Sequence, residues 1–70
     1  MKDLILYYET KIYLYENIIK ELNNIVNNLY NNGDRHFVNQ RIKELENLKE
    51  SYNKDLMIIK KLGDVNGNVS

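Results

Sequence analysis

Residues 4–29 have the sequence LILYYETKIYLYENIIKELNNIVNNL, in which apolar side chains recur with alternating steps of three and four residues. This spacing is typical of a heptad seam, a line of side chains along an α-helix that packs against a neighbouring helix. The seam consists of Ile5, Tyr8, Ile12, Tyr15, Ile19, Leu22, Val26 and Leu29. Leu4, Ile18 and Ile25 widen the line on one flank, so that it can contact two neighbours. The pattern predicts a first helix over about residues 4–31.

A second apolar line follows the sequence Asn31-Asn32-Gly33-Asp34, which has the composition of a turn between helices. Glycine in a left-handed conformation commonly ends a helix, and the Asp34 carboxylate can accept hydrogen bonds from the free N–H groups that begin the next one. The second line comprises Val38, Ile42, Leu45, Leu48, Tyr52, Leu56, Ile59 and Leu62. The sequence therefore predicts a turn at residues 32–34 and a second helix over about residues 35–62.

Two helices of about 28 residues each, joined by so short a turn, fold back on each other as an antiparallel helical hairpin. The predicted fold class is therefore all-α, with one helix-loop-helix domain over residues 1–62. Residues 63–70 contain Gly67, two Asn and few side chains to bury, so we expect a disordered tail there.

Association of two hairpins is expected from the size of the chain and from the width of its apolar surface. A single core in a chain of 70 residues seldom supplies more than about 3–5 kcal/mol of stability. Leu6, Tyr7, Tyr13 and Leu14 lie off the seam, which makes the first four turns apolar on nearly every side. We therefore expect a homodimer, either a four-helix bundle or an elongated coiled coil.

Charge and cysteine content exclude several classes of partner. Ten basic and ten acidic side chains give a net charge of zero, and the chain has no cysteine with which to form disulfides or thiolate metal sites. The net charge is −1 over residues 1–33 and +2 over residues 34–62, whereas nucleic-acid binding needs a basic surface. The longest apolar runs are far shorter than the ~18–20 residues that cross a bilayer. We therefore expect a cytoplasmic protein without nucleic-acid or membrane partners.

The single histidine, His36, follows Asp34 and Arg35, and this cluster is the one candidate for catalysis. Adjacent residues on a helix point about 100° apart, so these three side chains cannot converge on one substrate atom. One His without Cys also provides no constellation for a metal ion. We predict that the protein is not an enzyme, that His36 is not catalytic, and that no metal or cofactor is bound.

The end of the second helix is the candidate partner-binding segment. Its apolar side chains point to more than one face, and two lysines follow them. One interpretation is that this part covers the apolar start of the first helix within the hairpin. The other is that it docks on a partner protein as a short helix with apolar anchors. The candidate binding residues are Met57, Ile58, Ile59, Lys60 and Lys61.

Twelve Asn and six Tyr, with no Ala, Pro or Trp, indicate an AT-rich coding genome. A short helical hairpin of this composition, with Met57-Ile58-Ile59-Lys60 near its C-terminus, resembles the internal scaffolding proteins with which staphylococcal pathogenicity islands redirect capsid assembly of a helper phage. In that family a dimeric helix-loop-helix binds capsid protein through a C-terminal Arg-Ile-Ile-Lys motif, and Met57 stands at the position of the Arg. The resemblance implies a scaffold that binds the major capsid protein and influences capsid size, in the bacterial cytoplasm and inside assembling procapsids.

The segment Ile42-Lys43-Glu44-Leu45-Glu46 is similar to the Ser-Gln-Glu-Leu-Asp motif of the sporulation aspartyl-phosphate phosphatases, which are also small helical hairpins. Three of the five positions differ, and the Gln and the Asp that this family uses for dephosphorylation are absent. This second resemblance implies a small helical regulator of a signalling protein as the alternative function.

Overall fold

The computed structural model describes the backbone of residues 2–69 and the side chains of residues 2–63. Two helices, α1 (Lys2–Asn27) and α2 (Asn32–Val69), are connected by residues 28–31 and pack along each other in opposite directions. The resulting hairpin measures 57 × 14 × 12 Å. The predicted all-α helical hairpin is therefore confirmed.

The first helix ends at Asn27, four residues before the predicted end at Asn31. Its last turn is tightened by hydrogen bonds with a three-residue spacing, in which the Asn28 and Leu29 amides donate to the carbonyls of Ile25 and Val26 at 3.0 and 3.3 Å. Such bonds satisfy carbonyl groups that the end of a helix leaves free. The turn therefore lies at residues 28–31, and the predicted turn at residues 32–34 is wrong.

The second helix begins at Asn32 because the side chain of Asn31 caps it. Asn31 Oδ1 accepts hydrogen bonds from the backbone amides of Gly33 at 2.7 Å and Asp34 at 3.1 Å. The predicted cap, Asp34, instead lies in the first turn of α2, where its negative charge faces the positive end of the helix dipole. Gly33 does not have a positive φ, and a β-carbon there would lie 3.1 Å from Asn31 Oδ1, so glycine leaves room for the cap.

The second helix continues to Val69 and does not end near Leu62 as predicted. A glycine inside a helix costs about 1 kcal/mol relative to alanine, which weakens the helix without ending it, and the chain has no proline. The backbone is helical up to Val69, in the segment where the sequence predicts a disordered tail at residues 63–70. Ser70 lies outside the described residues.

The hairpin interface contains the α1 seam as predicted, but few of its side chains are fully covered. The residues of this seam are half-buried, except for Val26, which is buried. On α2 the half-buried apolar side chains are Val38, Tyr52 and Ile59. The buried residues of the described part are Val26, Ile42, Leu45 and Leu56. A single helical neighbour thus leaves most of the apolar surface in partial contact with water.

The line of α2 that faces α1 departs from the prediction at two positions. The sequence pattern assigns Leu48 and Leu62 to the seam, but they are 42% and 55% exposed. Lys49 and Gly63 are half-buried in their place, because the steps of the interface continue as 42, 45, 49, 52, 56, 59 and 63. A lysine can occupy such a position because its alkyl stem lies along apolar surface while its ammonium group reaches the solvent.

Candidate protein-binding surfaces

The hairpin has two outer sides that flank the interface between α1 and α2. A residue is assigned to one of them by its position in the sequence relative to the nearest interface residue. Successive side chains of an α-helix point about 100° apart around the helix axis. The residue before an interface residue therefore points to one side of the hairpin, and the residue after it points to the other. In an antiparallel pair, the preceding residues of both helices lie on the same side. We call this the front side, and the side of the following residues the back side.

Contacts between the helices agree with this sorting. On the back side, Asn23 of α1 shares a recess with Asn39 and Glu46 of α2. On the front side, the Tyr8 hydroxyl, which lies in the interface, donates a hydrogen bond of 3.3 Å to Asp55 Oδ2. Asp55 precedes the interface residue Leu56 and therefore belongs to the front side.

The front side carries the larger part of the exposed apolar surface. Its α1 side chains, between 43% and 51% exposed, are Leu4, Tyr7, Leu14, Ile18 and Ile25. Its α2 side chains, between 42% and 76% exposed, are Phe37, Leu48, Ile58 and Leu62. These residues run the length of the hairpin, whereas single exposed apolar residues on a monomer are usually scattered. An extended apolar side of this kind is typical of a protein-binding surface.

A recess of about 340 Å³ lies along the front of α1. Its walls include Leu14, Ile18 and Ile25, together with Glu21 and the seam residue Leu22. The recess is open to solvent and mostly apolar, so it can accept apolar side chains from another helix.

Tyrosine rings join the two helices next to this surface. The rings of Tyr8 and Tyr15 on α1 lie 5.3 and 5.5 Å from the ring of Tyr52 on α2, measured between centroids. Such tilted pairs stabilise a fold by about 0.5–1.5 kcal/mol beyond the area they bury. The Lys11 ammonium lies 5.6 Å from the centroid of the exposed Tyr7 ring, within the range of a cation–π interaction.

The tyrosine cluster changes the acidity of two phenols. Desolvation in the interface, followed by the charge of the Asp55 carboxylate, raises the pKa of Tyr8 above its ordinary value of 10.0. The negative charge of the neighbouring Tyr15, once that phenol is ionised, raises the pKa of Tyr52. Both shifts favour the neutral phenol, as expected where a phenolate would lose water and face another negative charge.

The five predicted partner-binding residues point in different directions. Ile58 lies on the front side and is 59% exposed, while Ile59 is half-buried in the hairpin interface. Met57, 62% exposed, and Lys60 lie on the back side, and the exposed Lys61 points away from α1. The structure therefore does not bring these residues together on one surface.

Other exposed apolar side chains lie near Met57 on the back side. Leu6 is also 62% exposed on this side. The hydrogen bond between Tyr8 and Asp55 fixes the register of the two helices and places Leu6 at the same level of the hairpin as Met57. Tyr13, 63% exposed, continues the patch along α1. We call Leu6, Tyr13 and Met57 the back patch, and Lys60 lies at its edge.

The side chains of residues 42–46, the segment that is similar to the phosphatase motif, are also distributed between the interface and the two outer sides of the hairpin. Ile42 and Leu45 are buried in the interface. Glu44 lies on the front side, where its Oε2 is 2.9 Å from Arg41 Nη1, while Lys43 and Glu46 lie on the back side. The segment therefore does not present its polar side chains together to a substrate.

The surroundings of His36 are open and polar. His36 is exposed in the first turns of α2, beside recesses that also contact Gln40. Within the described residues, no three His, Asp or Glu side chains are grouped closely enough to hold a metal ion. Neither helix, over its described length, has a stretch long and apolar enough to cross a membrane.

Comparison of the chain with models of protein families, with curated proteins and with solved structures finds no match. Function is therefore inferred from the surfaces of the hairpin.

Three charged residues belong to these surfaces although the sequence pattern did not single them out. Lys11 and Glu21 interrupt the exposed apolar residues on the front of α1, and Lys49 takes the place of Leu48 in the interface. The signal was present in the sequence, because the residues that precede the α1 seam form a second heptad line in which Lys11 and Glu21 are members.

Proposed function

We propose that the chain is a non-catalytic assembly protein that forms a homodimer through its front side and binds a second protein through the back patch. The observation that carries the proposal is the distribution of apolar side chains, with four buried residues inside the hairpin and a larger number exposed on its outside. Binding by apolar helix surfaces is the function that this distribution supports best.

The energetics favour association over a free hairpin. A core of four buried side chains is small for a chain of this length, and small domains of this kind usually need a partner, a metal or disulfides. Burying the exposed half of an apolar side chain contributes roughly 1 kcal/mol. The front side offers nine such side chains from each copy, so burying even part of this surface in a dimer would add several kcal/mol to the stability of the hairpin.

The back patch suits a different partner because it is short and lies at the open end of the hairpin. Leu6, Tyr13 and Met57 provide apolar contact, and Lys60 provides a positive charge at the rim. Rim charges mainly set the rate and orientation of binding, while central apolar side chains set the affinity. The resemblance to the scaffolding proteins makes a phage major capsid protein the candidate for this partner.

The dimer is tested by light scattering coupled to gel filtration. We expect a mass of twice 8.4 kDa at micromolar concentration. Leu14→Asp places a charge on the front side and should shift the mass to that of one chain. Asn24→Asp adds the same charge to α1 outside both binding surfaces and should leave the dimer intact. A wild-type mass of 8.4 kDa would disprove the dimer.

The second partner is tested by co-expression with the major capsid protein of a phage from a low-GC host. We expect the chain to sediment with capsid protein and to change the size of the assembled shells. Met57→Asp should weaken this binding at least tenfold, since a buried apolar anchor of this size contributes about 1.5–3 kcal/mol. Asn53→Asp is the matched control, because it adds one negative charge to the same side of α2, one turn away. Equal binding by Met57→Asp and wild type would show that the back patch is not the contact.

A further inference from the structure

The front of α1 has a pattern that is complementary to itself. Its members, which we call the α1 front stripe, are separated by steps of 4, 3, 4, 3 and 4 residues, so the spacing is the same from either end. They are Tyr7, Lys11, Leu14, Ile18, Glu21 and Ile25. The midpoint of the stripe is level with Glu16. When the stripe is reversed about this midpoint, apolar positions fall on apolar positions and Lys11 falls on Glu21.

We propose that a second copy of the chain packs its α1 antiparallel to this α1 along the front stripe, about a two-fold axis level with Glu16. The proposal rests on the homodimer of the proposed function and specifies which helices meet and in which direction. Two-fold symmetry repeats every contact, as in most homodimers. Leu14 then contacts Ile18 of the second copy, and Tyr7 contacts Ile25 of the second copy.

Charge decides between the two possible directions. In the antiparallel arrangement, Lys11 of each copy lies opposite Glu21 of the other, which gives two pairs of opposite charge across the interface. A parallel arrangement would place Lys11 opposite Lys11 and Glu21 opposite Glu21, and like charges at facing positions are destabilising. Neither side chain forms an ion pair within the described part of the chain, and the one contact of the Lys11 ammonium described above is with the exposed Tyr7 ring, 5.6 Å from its centroid.

The geometry of the hairpin fits such a dimer. The front stripe lies about 100° around α1 from the seam, which is close to the angle between the two neighbours of a helix in a four-helix bundle. The recess formed by Leu14, Ile18 and Ile25 provides holes for the side chains of a facing helix. The contact between Lys49 and Glu16 places Leu48 of α2 near the same level, so it adds an exposed apolar side chain beside the axis.

Charge reversal tests the direction of packing. We expect Lys11→Glu to raise the dissociation constant of the dimer at least about tenfold, because both pairs of opposite charge become pairs of like charge. Glu21→Lys should have a similar effect, and the double variant should restore the wild-type dissociation constant. In a parallel dimer each reversal would exchange one like-charge pair for another and change little. Lys20→Glu, on the back of α1, is the control for net charge.

Cysteine cross-linking tests the same geometry without relying on affinity. The chain has no cysteine, so each introduced thiol is unique. A mixture of Tyr7→Cys and Ile25→Cys should give a mixed disulfide under mild oxidation. Ile25→Cys alone should not cross-link to itself, since the two positions would be roughly 27 Å apart along the antiparallel helices, beyond the reach of a disulfide.

The outcomes separate this proposal from the proposed function. A wild-type mass of one chain would overturn both. A dimeric wild type in which the charge reversals have no effect, or in which Ile25→Cys cross-links to itself, would overturn only the antiparallel α1 packing. Circular dichroism of each variant at the concentrations used shows whether it remains helical, and the cross-linking of Tyr7→Cys with Ile25→Cys decides the matter if Lys11→Glu is unfolded.

Discussion

Lys49 occupies a position on the α1-facing line of α2, and its Nζ lies 3.9 Å from Glu16 Oε1 across the hairpin. The apolar stem of Lys49 fills part of the interface, and the ammonium group reaches its edge. The carboxylate of Glu16 is more than half exposed, so solvent screens the attraction between them. Lys49 therefore contributes mainly through packing and through the register of the two helices.

Replacing Lys49 by leucine should stabilise the protein. The leucine side chain would bury more apolar surface in the interface than the lysine stem, while the lost ion pair contributes no more than about 1 kcal/mol. We expect the free energy of unfolding in urea to rise by about 1 kcal/mol at fixed protein concentration. Lys54→Leu is the matched control, because Lys54 is exposed and pairs only with Glu50 on its own helix, at 3.6 Å, among the described residues. A lower stability for Lys49→Leu would show that the ion pair outweighs packing.

Removing the Asn31 cap should destabilise α2 at its start. Asn31→Ala leaves the amides of Gly33 and Asp34 without their acceptor, which typically costs about 1 kcal/mol. Thermal unfolding followed by circular dichroism measures this loss. Asn32→Ala changes the same residue type one position later, where alanine favours helix, and should not destabilise. Equal stability of Asn31→Ala and wild type would contradict the assignment of the cap.

Stability should fall at alkaline pH. The pKa of Tyr8 is raised in the folded protein, so the folded state retains a proton that the unfolded state loses near the ordinary value of 10.0. The contribution of this group to stability is therefore complete below pH 10 and is lost as the pH rises through the folded-state pKa. The shift in the pKa of Tyr52 acts in the same direction.

The measurement is the free energy of unfolding between about pH 8 and 11.5, where the decrease above pH ~10 should be smaller in Tyr8→Phe than in wild type. Tyr13→Phe, in the back patch, is the control and should follow the wild-type curve. Identical curves for Tyr8→Phe and wild type would show that Tyr8 does not cause the pH dependence.

Two neighbouring isoleucines should respond differently to the same substitution. Ile59→Asp places a charge in the hairpin interface, and we expect it to lower the free energy of unfolding by about 2 kcal/mol or more. Ile58→Asp changes a front-side residue that is 59% exposed in the hairpin, so it can weaken the dimer but should lose less helix than Ile59→Asp under the same conditions. A greater loss of helix in Ile58→Asp would contradict the side assigned to these residues.

The helical hairpin could be predicted from the sequence because the α1 seam keeps its steps of three and four residues throughout. The boundaries could not, because Asn31 and Asp34 are both good caps and only the structure shows that Asn31 Oδ1 accepts the two amide hydrogen bonds. The apolar character of Leu48 favours its assignment to the interface, whereas the step of the helix places Lys49 there. The sequence also indicates Met57 and Ile58 as candidate binding residues. It does not show that Met57 lies on the back side of the hairpin and Ile58 on the front side.

The placement of the tyrosines gives the protein an internal optical probe. The chain has six Tyr and no Trp, and three of them, Tyr8, Tyr15 and Tyr52, meet across the two helices. Ring contacts of this kind exist only while α1 and α2 are packed together. Near-ultraviolet circular dichroism and tyrosine fluorescence should therefore follow opening of the hairpin separately from melting of the individual helices, without any added label.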